Sequence, residues 1–257
     1  PGPFLATVLA ARLAASAGQA ELAGRLLAGA THAALAEPDG DPAATVGATV
    51  SGRFRVTDAA GAEVVLFLTP TAAALVAADG LSVTAEPSLD RLVPLGSTTV
   101  DGVAALCTGD GPDLWRRAGV LVAAELAGIA TATAEQSTEY AKDREQFGTP
   151  IGAFQAVKHR CADMAVRAEA ATSIVRYAAL AVADGLDDAD FWVHAARAMA
   201  TDAAITNAHT NVQNHGGIGF TIEHTAHRYV TRAQVRGRTA GDRRAHLDNL
   251  LDQPAPA

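Results

Sequence analysis

The strongest constraint on the fold is a nearly continuous run of helix-forming sequence over residues 111–250, interrupted at only a few places. The helices predicted from this run cover residues 112–144, 153–183, 189–214 and 223–239. Pro112 suits a first helical turn, and Gly185 suits a helix stop. A helix of about 30 residues is roughly 45 Å long. Such helices with short connections favour an antiparallel four-helix bundle.

The preceding part of the chain has a different pattern. Residues 4–28 have apolar side chains at helical spacing, and Gly18 is expected to separate two short helices. Residues 35–108 alternate short apolar, β-branched runs with Asp-Gly turns, which predicts a small sheet or barrel. The fold class is therefore mainly α with a small β domain (α+β). The expected domains are N-terminal helices at 1–34, a β-barrel-like domain at 35–108, and a four-helix bundle with a flexible tail at 109–257.

Composition and charge argue against several classes of function. A formal charge of −8 argues against nucleic acid as the main partner, because no net basic field attracts phosphates. Cys107 and Cys161 form neither a disulfide framework nor a metal-ligand spacing, which suits a reducing cytoplasm. The apolar N-terminal run lacks the basic start of a signal peptide, and no uninterrupted apolar run reaches about 18 residues. No membrane association is expected. Because the chain starts at Pro1 rather than Met, further residues are expected upstream.

Two interruptions in the helical run contain the candidate binding residues. Taken singly, each residue has an ordinary explanation: Arg144 is a cation at a helix C-terminus, and Gly148 and Pro150 are helix-stop residues. The GGIG sequence at 216–219 is typical of a tight turn. No strand precedes it, which disfavours a dinucleotide phosphate loop.

Taken together, these interruptions resemble the C-terminal signatures of the acyl-CoA dehydrogenase family. The residues that carry the resemblance are Tyr140, Arg144, Phe147, Gly148, Pro150, Gln155, His159, Ala162, Asp163 and Met164, followed by Gln213, Gly216, Gly217, Gly219 and Phe220. The order of helices, barrel and helices also fits the family. The resemblance covers nearly the whole chain; its C-terminal motifs are specific in combination, whereas the middle region is only loosely similar.

The resemblance implies that these segments hold the adenine half of an FAD at a subunit interface. The implied cofactor-binding residues are Arg144, Phe147, Gln155, Gln213, Gly216 and Gly217. A guanidinium can pair in fork fashion with pyrophosphate oxygens, and amide side chains can bond to cofactor edges. Glycines allow the backbone to approach a ligand closely.

The catalytic base of the family has no evident counterpart. In most members this carboxylate follows helix four in a Tyr-Glu-Gly-Thr-like stretch, but residues 235–242 read VRGRTAGD, with an Arg at the expected position. Other members place the base early in helix one, where Ala118 stands, between Arg117 and Gly119. No catalytic residue is therefore predicted. Glu125, which lies among small residues, is the fallback base.

The flavin-binding half also departs from the family. The usual Thr-Glu-Pro is Ala36-Glu37-Pro38 here, and no Ser precedes Asp41. A Trp-Ile-Thr-like strand is replaced by FRVTD at 54–58, with Thr57 as a remnant.

Metal and cysteine chemistry are disfavoured as substitutes for the missing base. His215, His224 and His227 lie close in sequence but lack a further ligand, so no metal is expected. Neither cysteine has an evident His partner that would make it a nucleophile.

The resemblance predicts the base-lacking subunit of an α2β2 heterotetrameric acyl-CoA dehydrogenase, with FAD shared between this chain and a catalytic partner subunit. Such pairs occur in actinobacterial degradation of bulky acyl-CoAs, including steroid side chains. The implied reaction is α,β-dehydrogenation of an acyl-CoA thioester, with electron-transfer flavoprotein as a further partner. Two alternatives stay open: a self-sufficient homotetramer that uses Glu125 as base, and a flavin-free scaffold protein.

Overall fold

The structure, a computed structural model, describes residues 2–254. The last three residues of the predicted flexible tail, 255–257, lie outside the described residues. The chain forms two compact units, Pro1–Ala118 and Gly119–Ala257.

The first unit starts with two short helices, α1 (Phe4–Ser16) and α2 (Ala20–Leu27). Gly18 lies between them with φ +76°, a backbone conformation that favours glycine. Leu9 and Leu13 of α1 are almost completely buried. The two helices and the break between them therefore agree with the sequence-based expectation.

One mixed sheet of eight strands follows the two helices. The strands are β1 (Ala33–Pro38), β2 (Thr45–Val46), β3 (Thr49–Thr57), β4 (Val64–Leu68), β5 (Ala72–Ala77), β6 (Thr84–Glu86), β7 (Leu95–Ala104) and β8 (Cys107–Asp110). Their order is β6-β7-β3-β1-β4-β5-β8, with β2 paired to β3. The β1–β4 pair is parallel and the other pairs are antiparallel.

The core of the sheet is built around two aromatic rings. Phe54 of β3 and Phe67 of β4 are fully buried, with ring centroids 4.8 Å apart in an edge-to-face arrangement. Such a pair adds stability beyond its buried area. Ala36, Val56 and Val65 pack in the same cluster.

The second unit is almost entirely helical. Its helices are α3 (Gly111–Asp143, which begins in the first unit), α4 (Gln155–Asp184), α5 (Ala189–His215), α6 (Ala226–Arg236) and α7 (Arg243–Asp252). Short 3-10 helices at Ile151–Ala153 and Gly216–Phe220 join them, and β9 (Glu145–Gln146) pairs with β10 (Thr149–Pro150). The three long helices match their predicted ranges within two residues. The α+β fold class, with N-terminal helices, a β domain and a C-terminal helical bundle, is confirmed.

The sequence-based description needs correction near the C-terminus. The fourth helix is shorter than predicted, and α7 follows it as an additional helix. The side chain of Asp242 caps α7 by accepting a hydrogen bond from the Ala245 amide at 2.8 Å. Because of this cap, a separate helix begins after Asp242, where the sequence had predicted no further helix.

Helix α3 has the length and apolar composition of a membrane span, and it is the only helix within residues 2–254 that does. More than half of its most apolar stretch is buried inside the protein, and Ala123, Leu126 and Ala130 are fully buried. These features are those of a core helix.

Two buried asparagines of α5, Asn207 and Asn211, fix its register against neighbouring helices. The Asn207 amide donates to the carbonyl oxygens of Ala130 in α3 (3.0 Å) and Met164 in α4 (2.9 Å). Asn211 donates to Gln136 Oε1 at 2.6 Å. Because buried amides that lose their partners are costly, these bonds hold the helices at one relative position.

Candidate functional site

The two motif segments lie at the same end of the helical unit. Tyr140 near the end of α3 stacks on His215 at the end of α5, with ring centroids 4.2 Å apart. Asn214 donates to Ser137 Oγ at 2.7 Å and lies 3.7 Å from Cys161 Sγ in α4. The C-terminal ends of α3 and α5 are therefore joined to the first turns of α4.

A tight turn connects α3 to α4 and presents an aromatic ring. Phe147 has φ 55° and Gly148 φ 75°, between the paired strands β9 and β10. The Ile151 amide donates to the Arg144 carbonyl at 2.7 Å and closes the turn. As a result Phe147 is 95% exposed. Its ring lies edge to face with the ring of Phe154, and the two ring centroids are 6.2 Å apart. A positive φ is uncommon for a bulky residue, and here it directs the aromatic ring to the surface of the turn.

The polar candidates are available at the surface. Arg144, Gln155 and Gln213 are all exposed. Within the described residues, the Arg144 guanidinium makes no hydrogen bond or ion pair with another side chain. These side chains can therefore donate hydrogen bonds to a group from outside the chain.

The structure explains why glycine is required at two of the three glycine positions of the second segment, and for different reasons. Gly216 adopts φ 63° with ψ −140°, which only glycine tolerates readily. A Cβ on Gly219 would lie 2.6 Å from the Val212 carbonyl oxygen. A Cβ on Gly217 would meet nothing within 4 Å. The chain's own packing explains Gly219, backbone conformation explains Gly216, and neither explains Gly217.

His215 is a structural residue at this end of the bundle. Burial lowers its pKa, the hydrogen bond to the Asn211 carbonyl oxygen (2.8 Å) opposes that shift, and the nearby His224 lowers the pKa further. The neutral ring can donate from Nδ1 to that carbonyl and keep its face against Tyr140. In the described part of the chain, no three or more His, Cys, Asp or Glu side chains are grouped to hold a metal.

The fallback base, Glu125, is engaged by two arginines of α6. Its Oε1 accepts from Arg232 at 3.0 Å, and its Oε2 lies 3.0 Å from Arg236 Nε. Arg236 is 6% exposed, so its charge is paired inside the protein. This arrangement is a partly buried cluster of one carboxylate and two guanidinium groups that joins α3 to α6.

The other positions where the family resemblance places a base offer no available carboxylate. Ala118 is fully buried, and Arg236, which precedes Gly237, is paired with Glu125. Arg238 is exposed and bonded to Gln234, and Asp242 is the cap of α7.

The positions that correspond to the family's flavin-binding half have structural roles in the sheet of the first unit. Ala36 is fully buried and pairs with Val56 of β3 and Phe67 of β4. Asp41 accepts from the amides of Arg53 (3.0 Å) and Ala43 (2.9 Å), and these two bonds lower its pKa. Ala36 and Asp41 are thus explained by packing and turn structure.

Sequence reasoning missed the asparagine contacts that bring the motif segments together. Asn207, Asn211 and Asn214 recur at helical spacing on one face of an Ala-rich helix. This pattern predicts buried amide bonds to neighbouring helices.

Sequence comparisons identify the family. A model described as "Acyl-CoA dehydrogenase, C-terminal domain" matches residues 116–253. Acyl-CoA dehydrogenase IpdE2 of Mycobacterium tuberculosis is 35% identical over 240 residues, covering 91% of this chain and 66% of the relative. Acyl-CoA dehydrogenase FadE34 of the same organism is 49% identical over 122 residues, covering 47% of this chain and 17% of the relative. The chain thus spans less than two thirds of the length of these curated relatives.

Solved structures share the fold. A variant of the Tcur3481–Tcur3483 steroid ACAD matches with a TM-score of 0.84 and 30% identity, covering 97% of this chain and 75% of that chain. The ChsE4–ChsE5 complex from Mycobacterium tuberculosis matches with a TM-score of 0.81 and 28% identity, covering 98% and 77%. Since the family model covers more than half of the chain and a 35% identical relative covers nearly all of it, the chain belongs to the acyl-CoA dehydrogenase family.

Proposed function

We propose that this chain is the base-lacking subunit of an FAD-dependent acyl-CoA dehydrogenase complex that performs α,β-dehydrogenation of an acyl-CoA thioester. The residues proposed to contact the adenine side of FAD are Arg144, Phe147, Gln155, Gln213, Gly216 and Gly217. The observation that carries the proposal is their joint exposure at one end of the helical unit, on segments held together by Tyr140 and His215. A catalytic partner subunit supplies the base and the flavin pocket.

The exposed groups fit the adenine diphosphate portion of FAD. The Arg144 guanidinium, which has no side-chain partner in the described chain, can give a pyrophosphate two parallel N–H···O bonds. Phe147 offers an exposed apolar face, and the open side of Gly217 leaves room for close approach. Bound FAD supplies the hydride acceptor of the reaction. The residues of this chain bind and orient it.

The arrangement around Glu125 supports the base-lacking role. A general base needs a carboxylate free to take a proton from substrate. Both oxygens of Glu125 instead face guanidinium groups, of Arg232 and Arg236. A self-sufficient homotetramer would require Glu125 to leave these contacts, which makes that alternative the weaker one.

The relatives suggest the composition of the complex and its substrate class. Two structural neighbours are named as pairs of proteins, Tcur3481–Tcur3483 and ChsE4–ChsE5, and the first is called a steroid ACAD. We propose by similarity an α2β2 heterotetramer that acts on a bulky, steroid-type acyl-CoA. Electron-transfer flavoprotein would accept the electrons, and the complex would be cytoplasmic.

Flavin content tests the proposal directly. The chain purified alone should have no visible flavin absorption, because Ala36 and the FRVTD strand lack the donors expected for the ring system. Co-purification with an acyl-CoA dehydrogenase-type partner from the same organism should yield a yellow complex. Stoichiometric FAD in the homogeneous chain alone would contradict the shared-cofactor proposal. Colourless complexes with such partners would favour a scaffold protein.

Arg144→Ala should weaken FAD retention in the yellow complex by roughly one to two decades. A charge-assisted hydrogen bond contributes about 1.5–3 kcal/mol, and about 1.4 kcal/mol corresponds to tenfold in affinity. Flavin release would be followed by absorbance during dialysis. Arg244→Ala is the matched control, because the Arg244 side chain is 89% exposed in α7. Equal retention in the two variants would mean that Arg144 only ends a helix.

A further inference from the structure

The first unit contains an open cavity of about 960 Å³ between α2 and one end of the sheet. Apolar side chains form much of its wall, among them Leu22, Val56, Val65, Ala78, Leu81 and Val83. Several of them, such as Val56 and Val65, belong to the buried core of the sheet. The cavity is therefore continuous with the apolar interior.

The cavity exists because the side chains at this end are small. Deeper in the sheet, Phe54 and Phe67 fill the interior. At the cavity end, six wall positions are alanines: Ala59, Ala60, Ala62, Ala77, Ala78 and Ala85. Because the cavity is open, its apolar wall is in contact with water when no molecule is bound, and covering that wall favours the binding of an apolar molecule.

The wall is built by backbone hydrogen bonds, so the cavity is formed before any ligand arrives. The Ala78 amide donates to the Glu63 carbonyl at 2.9 Å, and the Leu81 amide donates to Ala78 at 3.1 Å. A Cβ on Gly96 would lie 2.7 Å from both the Thr84 carbonyl oxygen and Val83. Glycine at this position therefore allows the wall segment that contains Val83 to lie directly against β7.

Acidic groups dominate the mouth of the cavity. Glu21, Glu63 and Asp79 line it together with a single arginine, Arg25. Arg25 donates to Glu63 at 2.7 Å, which neutralises one carboxylate and leaves two in excess. Gln19 adds an uncharged amide at the same side. An anion approaching this mouth is repelled, whereas a neutral molecule is not.

We infer that this cavity binds one small, uncharged and largely apolar molecule, with its polar end at Gln19 and the Arg25–Glu63 pair. The volume lies within the range of about 300–1,000 Å³ that is typical of small-molecule sites. The site goes beyond the proposed function: none of its lining residues is among the six proposed for FAD, and its acidic mouth disfavours an anionic acyl-CoA.

Two dyes with the same ring system test the inference on the full chain. N-phenyl-1-naphthylamine is neutral, and 1-anilinonaphthalene-8-sulfonate differs from it by one sulfonate. Fluorescence titration should show one site per chain for the neutral dye, with at least about tenfold tighter binding than for the sulfonate. No saturable binding of the neutral dye, or equal binding of the two dyes, would overturn the inference.

Cavity-filling variants test whether the dye binds in this cavity. Ala78→Phe should fill the space and weaken neutral-dye binding by at least about tenfold. Ala48→Phe, at an exposed position in the β2–β3 turn, should leave binding unchanged. Circular dichroism would check the fold, and Ala62→Leu provides a milder filling variant if Ala78→Phe does not fold. Unchanged binding in a folded filling variant would place the dye elsewhere and overturn the inference.

The acidic mouth has its own test. Removing the two excess charges with Glu21→Gln and Asp79→Asn, which leaves the Arg25–Glu63 pair intact, should tighten sulfonate binding by several-fold and leave neutral-dye binding within about twofold. No gain for the sulfonate would contradict the electrostatic selection of an uncharged ligand.

Discussion

The helical unit places arginines in two contrasting environments. Arg197 in α5 is fully buried, and its guanidinium donates to His246 Nε2 at 3.1 Å and to the carbonyl oxygens of Thr239 and Gly241 at 2.7 Å each. Arg144, at the end of α3, is exposed and has no side-chain partner in the described chain. The first arginine serves the fold because its Nε and Nη2 donors are used internally. The second is available to a molecule from outside.

The same contrast extends to neighbouring residues. Glu125 and Arg236 satisfy each other inside the bundle, as Arg197 and His246 do. Gln213 and Phe147 are exposed, as Arg144 is. Burial of a polar group without a partner is costly, so a buried charged residue is expected to have partners within the chain. In these examples, internal partners separate structural residues from candidate binding residues.

The largest expected effect is the loss of stability on removing the buried arginine. Arg197→Leu should lower the free energy of unfolding by about 3–5 kcal/mol, since it leaves His246 and two carbonyl oxygens without their donor. Arg144→Leu should change it by less than about 0.5 kcal/mol, as expected at an exposed position. Urea unfolding of both variants measures the difference. Similar losses in the two variants would break the comparison.

A second effect concerns acid stability. Burial, and next the Arg197 charge, lowers the pKa of His246 to about 3, from an ordinary value near 6.5. The unfolded chain therefore binds a proton in a range where the folded chain does not. Stability from this site is complete above about pH 6.5 and falls as pH decreases toward 3, by an amount on the order of a few kcal/mol.

Urea midpoints measured between pH 7 and pH 5 test this effect, because most carboxylates stay ionised in that range. His246→Gln should reduce the pH dependence, although it also removes the acceptor for Arg197. His159→Gln, at an exposed position, is the control and should retain the wild-type dependence of the urea midpoint on pH. If His246→Gln also retained that dependence, the acid sensitivity would arise from other groups.

The smallest expected effect is on turnover. Glu125→Gln in the reconstituted complex should leave turnover within a few-fold of wild type, because Glu125 is engaged by Arg232 and Arg236 and we propose that the partner supplies the base. General-base catalysis contributes about 10²–10⁴ in rate. Single-turnover reduction of bound FAD by acyl-CoA is the measurement. Abolished reduction with FAD still bound would make this chain catalytic and favour the homotetramer.

The local sequence pattern predicted much of the fold. The ranges of α3, α4 and α5, the break around Gly148 and the separation of α1 from α2 follow from apolar periodicity and from Gly and Pro, which act within a few residues. Strand β5 was not singled out, because its AAALVA sequence is rich in Ala, which favours helices. Helix α7 was missed because its short sequence has little periodicity and is held by His246.

The sequence by itself determined the family signature and the two segments that carry it, since residue identity and spacing are local properties. Only the tertiary structure decided that these segments meet, because Tyr140 and His215 lie 75 residues apart and their stacking depends on how α3 and α5 pack. It also decided that Glu125 is paired whereas Arg144 is exposed. Partner choice for a charged side chain depends on what distant helices place beside it, and no local pattern contains that information.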